Sequence, residues 1–457
     1  MGTNGKEESR GVGIEHARRL ALFVLLFLFV FTHRGILGQN DLSRFVAVDS
    51  IVNRGVFYID DSGYLQQPSE MGKDGSLFLH NIAYNRQNGH CYTTKSPVLT
   101  VLLAGVLNIF RLLGAEFSFQ GYRAAIPTFV LTWLLIGSLT SLAVYFFRRN
   151  VTPWVSGLEA DLVVVLSLGG TIYLSYSTTM NHHTFAASLI FISFFILRMP
   201  EACVGISPAR AATAGLLMSL ATVVGWADGL AFSLAFGLYL IFYVRAWRSI
   251  AAYCLGAIPL LALHCALQYP IWHTVVPFEL IGATGHHAGP YLELSLRQFT
   301  WAIPRYKYWL LTLISTQGLF VLSPIVLIGV AGIGDAVRGS WHGWREGERS
   351  DASRGHVALT VVFGIILLVS YYSFFSRRDL GGACFGFRQY IGFIPLLSYY
   401  AVSYYSRHRD ETYFQAFFYL CGIISLMYAL IGMQKPWTLM ENNMHPAVQA
   451  LLRIRGF

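Results

Sequence analysis

The chain has 457 residues, of which 54% are hydrophobic, 15% aromatic and only 12% charged. Soluble domains carry about 25% charged residues, so this composition excludes a set of independent soluble domains. It also excludes a disordered chain or a coiled coil, both of which are rich in charged residues. The net charge of +9 does not indicate nucleic acid as a partner, because the Lys and Arg residues lie between apolar stretches. Membrane topology explains that placement, and the composition predicts a polytopic membrane protein.

Apolar stretches recur along the whole chain. A transmembrane helix needs about 20 mostly apolar residues. At this length the sequence predicts about 11 spans, near residues 20–38, 123–147, 160–177, 183–198, 211–226, 228–244, 249–268, 318–334, 357–375, 389–405 and 413–432. The predicted fold class is therefore all-α, a polytopic bundle of transmembrane helices in which residues 1–457 form a single domain.

One further apolar stretch, residues 97–114, decides the predicted topology. We place residues 1–19 in the cytoplasm and treat 97–114 as an interfacial helix. The predicted cytoplasmic segments then carry 16 of the 33 Lys and Arg residues, at about twice the density of the outer segments, as the positive-inside tendency requires. If 97–114 crossed the membrane, every later loop would invert. The sequence thus predicts two large extracytoplasmic loops, 38–122 with interfacial helices and 269–317.

The first predicted outer loop opens with the residues QNDLSRF. The spacing places Asp41, Arg44 and Phe45 on one face of a helix, and the apolar residues that follow make this helix amphipathic, so we expect it on the membrane surface. Asp41 has two interpretations here. It is either a structural residue, as an N-cap or one half of an Asp–Arg pair, or a carboxylate that acts on a bound hydroxyl group.

Tyr92 and Lys95 lie in the same predicted loop, just before Pro97 opens the interfacial stretch. A lysine at a lipid interface commonly extends its ammonium group towards water. The functional alternative is a cation held at headgroup depth, where a lipid phosphate would lie.

The junction of the third and fourth predicted spans carries Asn181, His182 and His183. Adjacent histidines on a helix point in different directions, so a shared zinc ion is disfavoured. A hydrogen-bonding role facing a site and a plain interfacial role both remain open. Asp228, between the fifth and sixth predicted spans, is either a buried polar helix contact or a site residue.

Arg388 follows a Gly-rich turn and begins the apolar run of the tenth predicted span. A guanidinium group at the mouth of a span is costly unless it is paired or binds an anion. Arg388 is therefore a candidate anion-binding residue on the outer side.

Three segments resemble the GT-C-type polytopic glycosyltransferases, in particular the bacterial lipid A aminoarabinose transferases and the protein O-mannosyltransferases. DLSRF at 41–45 is similar to the family's D-E-x-R-Y motif, whose Asp is catalytic. TKSPVL at 94–99 resembles the K-P-P-L element, which places Lys95 on the phosphate-binding lysine. GGACFGFRQYIGFIPLL at 381–397 resembles the G-x-S-x-G-P-R…P-L-L segment. The resemblance covers about residues 20–400.

The resemblance implies an inverting glycosyltransferase that takes a sugar from a polyprenyl-phosphate donor, a membrane lipid. Its acceptor would be a glycan, a lipid or a protein at the outer face of the cell inner membrane. Asp41 would be the catalytic residue. The expected substrate-binding residues are Arg44, Tyr92, Lys95, Asn181, His182 and Arg388.

Two departures from the family pattern weigh against a metal-dependent reaction. Leu42 replaces the second acidic residue of the D-E pair, and Asn181 stands where some relatives carry Asp. Asp60 and Asp61 form no D-x-D motif, and the six cysteines have no metal-ligand spacing. We expect no cofactor and no metal site, and the sequence leaves open whether Cys91 and Cys384 pair.

Other functions stay open beside the transferase. A lipid-linked glycan transporter, or a non-catalytic membrane subunit of a glycan-assembly complex, would share the composition. Transporters often carry internal repeats around a midplane site, whereas this sequence shows no repeat and its polar residues cluster at one predicted interface. A polymerase or ligase that transfers whole glycans would differ only in its acceptor.

Overall fold

The structure is a computed structural model that describes residues 3–35, 39–62, 81–85, 88–117, 119, 121–201, 205–277, 305–346, 349–375 and 384–437. Nearly all of these residues are helical, which confirms the predicted all-α class for this part of the chain. The strands within it form one antiparallel hairpin, β1 (Ile82–Asn85) and β2 (His90–Thr93), with Ile82 opposite Thr93 and Asn85 opposite His90.

The described α-helices, in chain order, are α1 (Thr3–Phe31), α2 (Gln39–Arg54), α3 (Pro97–Leu112), α4 (Ala125–Thr132), α5 (Ser138–Val151), α6 (Gly157–Val164), α7 (Ile172–Tyr176), α8 (His182–Ile196), α9 (Pro208–Val224), α10 (Trp226–Tyr239), α11 (Trp247–Trp272), α12 (Arg305–Ile314), α13 (Leu319–Leu322), α14 (Ile325–Glu346), α15 (Arg349–Phe375), α16 (Ile394–His408) and α17 (Thr412–Gln434). Turns of 3-10 helix lie at Gly121–Ala124, Met199–Glu201 and Arg388–Phe393. Turns of π-helix lie at Trp133–Gly137, Val165–Gly169 and Leu240–Val244.

Five helical stretches among the described residues are long and apolar enough to cross a membrane, namely Ala125–Val151, Trp226–Val244, Trp247–Trp272, Arg354–Phe374 and Thr412–Gln434. They coincide with five of the predicted spans. A sixth arises if Lys307–Leu322 and Ile325–Trp341 form one span, with a bend of 100° between them.

The bend in that sixth candidate lies at Pro324, which cannot continue the preceding helix. The residues on both sides of Pro324 are hydrogen-bonded to other parts of the chain. The Ile325 amide donates a hydrogen bond to Ser425 Oγ of α17 at 3.0 Å, and Ser323 Oγ accepts one from the Ile172 amide at 3.3 Å. The bend is therefore a fixed feature of the fold.

Four other predicted spans correspond to shorter or interrupted helices. Helices α8, α9 and α16 have 15, 17 and 15 residues, below the length of about 20 that crosses a bilayer. The stretch 160–177 is interrupted at Gly170, where a Cβ atom would lie 2.2 Å from the Leu166 carbonyl oxygen and 3.2 Å from that of Gly422. The total of 11 spans stays a prediction.

The chain divides into two compact units. The first comprises Met1–Phe31, Ile136–Ile258 and Pro304–Phe457, and the second comprises Thr32–Leu135 and Pro259–Ile303. The described residues of the predicted loop 38–122 thus belong to the second unit. Helix α1 covers residues 20–31 of the first predicted span, 20–38, and residues 36–38, 63–80 and 278–304 of the predicted spans and loops lie outside the described residues.

The first unit is a bundle in which small residues permit close helix contacts. Helix α14 packs against α15 and α16, and α8 packs against α9. Helices α9 and α11 approach at Gly215 and Gly256, where an added Cβ would lie 2.0 Å from the Tyr253 carbonyl oxygen and 2.1 Å from the Ala212 carbonyl oxygen, respectively. Glycine at such contacts is typical of helix packing in membranes.

We expect Gly256→Ala to destabilise the protein. The atom in the way belongs to the backbone of α9, so the helices must separate, and overpacking of this kind costs about 1–3 kcal/mol. Gly334→Ala on α14 is the matched control, since nothing lies within 4 Å of its added Cβ, and alanine favours a helix by about 1 kcal/mol over glycine. Thermal unfolding of both purified variants measures the difference. Equal melting temperatures would contradict the close contact.

The second unit contains α2, the hairpin, α3, α4 and the last turns of α11. Helix α2 packs against α3 and β2, and its residues 43–48 are all buried. Six consecutive buried residues cover every face of a helix, so this part of α2 is enclosed by its neighbours, and its placement on the membrane surface stays a prediction. Helix α3 has 16 residues and is about 24 Å long, shorter than the hydrocarbon core of about 30 Å.

Candidate functional site

The predicted catalytic residue, Asp41, lies in the first turn of α2. The helix begins at Gln39, so Asp41 is not its N-cap. Asp41 is 2% exposed and Arg44, one turn later, is 1% exposed. The first turn of a helix favours a carboxylate electrostatically, and opposite charges three residues apart on a helix lie on the same face. Buried charges require partners, and a direct Asp41–Arg44 ion pair stays a prediction.

Tyr92 and Lys95 line a small cavity of the second unit, together with Ala47 of α2 and Trp272 of α11. Its volume is about 10 Å³, close to the space needed for one water molecule. The Tyr92 ring meets Trp272 edge-on at 5.6 Å, and the Tyr92 hydroxyl accepts a hydrogen bond from Asn88 Nδ2 at 2.9 Å. Burial raises the pKa of Tyr92, which keeps its phenol protonated at neutral pH.

A sugar phosphate is far larger than this cavity. Lys95 is only partly buried, and a lysine ammonium reaches well beyond its own Cα on a flexible stem. In this conformation a donor phosphate can therefore meet Lys95 only at the rim of the cavity.

Asp60 holds the hairpin to the segment that follows α2. Its Oδ1 accepts a hydrogen bond from the Cys91 amide at 2.7 Å, and its Oδ2 lies 2.6 Å from His90 Nδ1. The His90 ring stacks on Tyr58 at 4.2 Å. Both carboxylate oxygens are thus engaged in structural contacts. Among the described residues, no group of three or more His, Cys, Asp or Glu side chains is placed to hold a metal ion.

Cys91 and Cys384 are both present as thiols. Burial and the neighbouring Asp60 carboxylate raise the pKa of Cys91 from 9.0 to about 11. Both effects disfavour the thiolate, which is the reactive form of cysteine.

We therefore expect Cys91 to react slowly with iodoacetamide. Near pH 8 its thiolate fraction should be about a hundredfold below that of an ordinary thiol, and the labelling rate should rise with pH up to about 11. Asp60→Asn removes a negative charge beside the thiol, so its labelling profile should shift to lower pH. Mass spectrometry of the Cys91 peptide measures the rate, and a wild-type midpoint near 9 would contradict the prediction.

In the first unit, Asp228 and His183 form a buried pair. Asp228 lies in the first turn of α10 and is 0% exposed, and its Oδ2 is 2.7 Å from His183 Nδ1. Asn181 is the N-cap of α8, and its Oδ1 accepts a hydrogen bond from the His183 amide at 2.8 Å. Gly392 lies against Asp228, since a Cβ there would be 2.3 Å from Oδ1. Asn181 thus contacts His183, and Gly392 contacts Asp228.

The tautomer of His183 follows from its partner. An ionised carboxylate only accepts hydrogen bonds, so beside such a carboxylate Nδ1 of His183 is the atom that donates. This is the arrangement in which a carboxylate orients an imidazole for proton transfer. The Tyr372 ring lies 6.4 Å from His183, and its hydroxyl lies in the electrostatic field of both Asp228 and Arg388.

Arg388 begins a 3-10 turn that packs against α8. Its guanidinium lies over the Trp437 ring at 4.8 Å, within the range of a cation–π interaction. The turn is tied to the end of the described chain, because the Phe385 amide donates to the Pro436 carbonyl at 2.8 Å. The Tyr176 hydroxyl donates to the same Pro436 oxygen at 3.0 Å. Arg388 is thus held in place by its surroundings and is partly exposed.

The predicted site residues divide between the two units. The second unit holds Asp41, Arg44, Tyr92 and Lys95, and the first holds Asn181, His182 and Arg388. His182 is partly exposed and stacks beside His183 at 4.1 Å.

Sequence reasoning chose His182, whereas His183 is the histidine that meets Asp228. The sequence feature that could have pointed to a buried histidine is Asp228. An acid at the start of an otherwise apolar stretch needs a partner, and the nearest candidates were the two adjacent histidines.

Comparison with protein-family models, with curated proteins and with solved structures finds no match to this chain.

Proposed function

We propose that this protein is a membrane glycosyltransferase that moves a sugar from a polyprenyl-phosphate donor to a hydroxyl group at the outer face of the cytoplasmic membrane. The observation that carries the proposal is the position of Asp41. It is a buried carboxylate in the first turn of α2 with Arg44 one turn later. The same helix supplies Ala47 to the cavity lined by Lys95.

The proposed reaction is a single displacement. The acceptor oxygen forms a bond to the anomeric carbon while the bond from that carbon to the phosphate oxygen breaks, and the lipid phosphate leaves with both electrons. The hydroxyl proton passes to the Asp41 carboxylate as the new bond forms, because an alcohol is too weak an acid to ionise beforehand. Arg44, on the same helix face, would orient that carboxylate, and inversion at the anomeric carbon follows.

Lys95 is assigned to the departing phosphate, which gains negative charge as its bond breaks. A fixed cation stabilises such charge most in a site from which water is excluded. Helix α3 begins at Pro97, two residues after Lys95, and phosphates bind well at helix N-termini because the free amides of the first turn point outward. The two features together provide an anion-binding position beside α2.

We expect Lys95→Ala to lower kcat/KM for a polyprenyl-phosphate sugar by about 10²-fold, the usual scale for removing one transition-state contact. Lys307→Ala is the matched control, since Lys307 is exposed on α12 and should have no effect. The assay follows sugar transfer by the purified protein in lipid. Equal activity of the two variants would remove Lys95 from the proposed site.

A second candidate function is proton-coupled transport of a lipid-linked glycan. The buried His183–Asp228 pair at the start of the stretch Trp226–Val244 favours it, because ionisable pairs inside apolar stretches mark proton relays in transporters. The test is glycolipid translocation in proteoliposomes with and without a pH gradient. Gradient-dependent movement without transfer of the sugar would favour the transporter over the transferase.

A further inference from the structure

A second site lies in the first unit, in a polar pocket with a volume of about 400 Å³. This lies within the range of about 300–1,000 Å³ that is typical of small-molecule sites. We call it the arginine pocket. Its charged lining residues are Arg354, Arg407 and Asp335, and hydroxyl groups are supplied by Ser403 and Ser406.

Two guanidinium groups and one carboxylate give the arginine pocket an excess of positive charge. Arg407 donates to Asp335 across a contact between α16 and α14 and also to the Ser403 carbonyl at 3.2 Å. Both partners of the ion pair are about 40% exposed, with 41% for Arg407 and 38% for Asp335. They are thus open to a ligand. One planar guanidinium group can donate two parallel hydrogen bonds to the oxygens of a phosphate, so a phosphate group fits this lining.

The depth of the arginine pocket is set by the helices around it. Arg354 is the first residue of a stretch, Arg354–Phe374, that is apolar enough to cross a membrane. A charged residue at the end of such a stretch lies at headgroup depth. The apolar part of the lining includes Trp154 and Val357, and tryptophan is enriched at membrane interfaces. The pocket therefore lies where a lipid headgroup would be.

The arginine pocket is lined by residues in or beside three connections between helices. The charge count assigns all three connections to the cytoplasm. The lining takes Trp154 from the connection after α5, Met199 from the one after α8, and Asp335 and Arg354 from either side of the α14–α15 connection. The cytoplasmic leaflet carries the anionic lipids, and basic pockets between helices on that side are typical headgroup sites.

We propose that the arginine pocket binds the phosphate headgroup of an anionic phospholipid from the cytoplasmic leaflet. The site is separate from the residues assigned to sugar transfer and does not depend on that assignment. Its role is to anchor the ends of α14, α15 and α16 to the lipid surface.

The test is lipid retention by the purified full chain, measured by native mass spectrometry in detergent. The protein is titrated with phosphatidylglycerol or with phosphatidylcholine of the same acyl chains. We expect the wild type to retain phosphatidylglycerol preferentially. Arg354→Gln and Arg407→Gln should each reduce that preference about fivefold, as expected for one basic residue near an anionic surface.

Arg338→Gln is the matched control, because Arg338 is an exposed residue of α14 with the same charge as the pocket arginines. It should keep the wild-type preference. Asp335→Asn removes the negative charge of the pocket and should increase phosphatidylglycerol retention, an effect that a misfolded variant would not give.

Three results would overturn the proposal. One is a wild type without preference for phosphatidylglycerol, and another is an equal loss of preference in Arg338→Gln and Arg354→Gln. The third is displacement of the bound lipid by inorganic phosphate at an equal concentration, which would assign the pocket to a soluble phosphate compound.

Discussion

Replacing Asp41 by Asn is expected to lower kcat for sugar transfer by about 10²–10⁴-fold, the usual contribution of a general base. The amide keeps the size of the carboxylate in its buried position but cannot accept the proton of the acceptor hydroxyl. Donor binding should change little, because the proposal assigns the donor phosphate to Lys95. The measurement is transfer to a defined acceptor, with donor binding followed separately by native mass spectrometry.

Asp49→Asn provides the matched control for this experiment. Asp49 lies on the same helix, is partly exposed, and accepts a hydrogen bond from Asn53 Nδ2 one turn later, so it should retain wild-type activity. Removing a buried charge can also destabilise the second unit, because the groups that it contacts lose their partner. Thermal unfolding separates the two effects. A folded Asp41→Asn protein with full activity would show that Asp41 is not the base.

The second large effect is expected on stability. Asp228→Leu leaves His183 without its carboxylate in the core of the first unit and should destabilise it by about 3–5 kcal/mol. The double variant His183→Phe with Asp228→Leu replaces the pair by apolar side chains of similar volume, which is commonly close to neutral. We therefore expect the double variant to recover much of the stability lost in the single one.

His182→Phe is the control for the double variant, because His182 is the adjacent residue but is partly exposed. With His183→Phe alone as the second single variant, the thermal unfolding of the wild type, the two single variants and the double variant gives the coupling between His183 and Asp228. Additive losses, with no recovery in the double variant, would mean that the observed contact contributes nothing to stability. The folded double variant also separates the two functions, since a proton-coupled transporter would lose its gradient dependence while a transferase based on Asp41 would keep its activity.

The long helices could be predicted from the sequence because hydropathy and length alone identify them. Trp247–Trp272 and Thr412–Gln434 are long, mostly apolar stretches, and a helix satisfies most of its backbone groups within itself. The break at Gly170 was not predictable in this way. Besides the local Leu166 carbonyl, Gly170 lies close to the backbone of α17 at Gly422, which is a contact between residues far apart in the sequence.

The candidate site could also be predicted only in part, because its packing depends on contacts between distant residues. The spacing of Asp41 and Arg44 placed them on one face correctly, but their burial depends on α3 and the hairpin, which no local pattern specifies. The choice between His182 and His183 depends on the rotation of α8 against α10, since both residues have the same local sequence context. Helical periodicity alone does not fix which neighbour a buried side chain will meet.

The bend at Pro324 has a consequence for how the protein is made. Its Ile325 amide is satisfied by Ser425, a residue that lies 100 positions later in the chain. During synthesis this amide must therefore find a temporary acceptor until the last described helix has left the ribosome, because an open amide is costly in hydrocarbon. The final shape of the bent element is thus a late event in biogenesis, completed only when α17 joins the bundle.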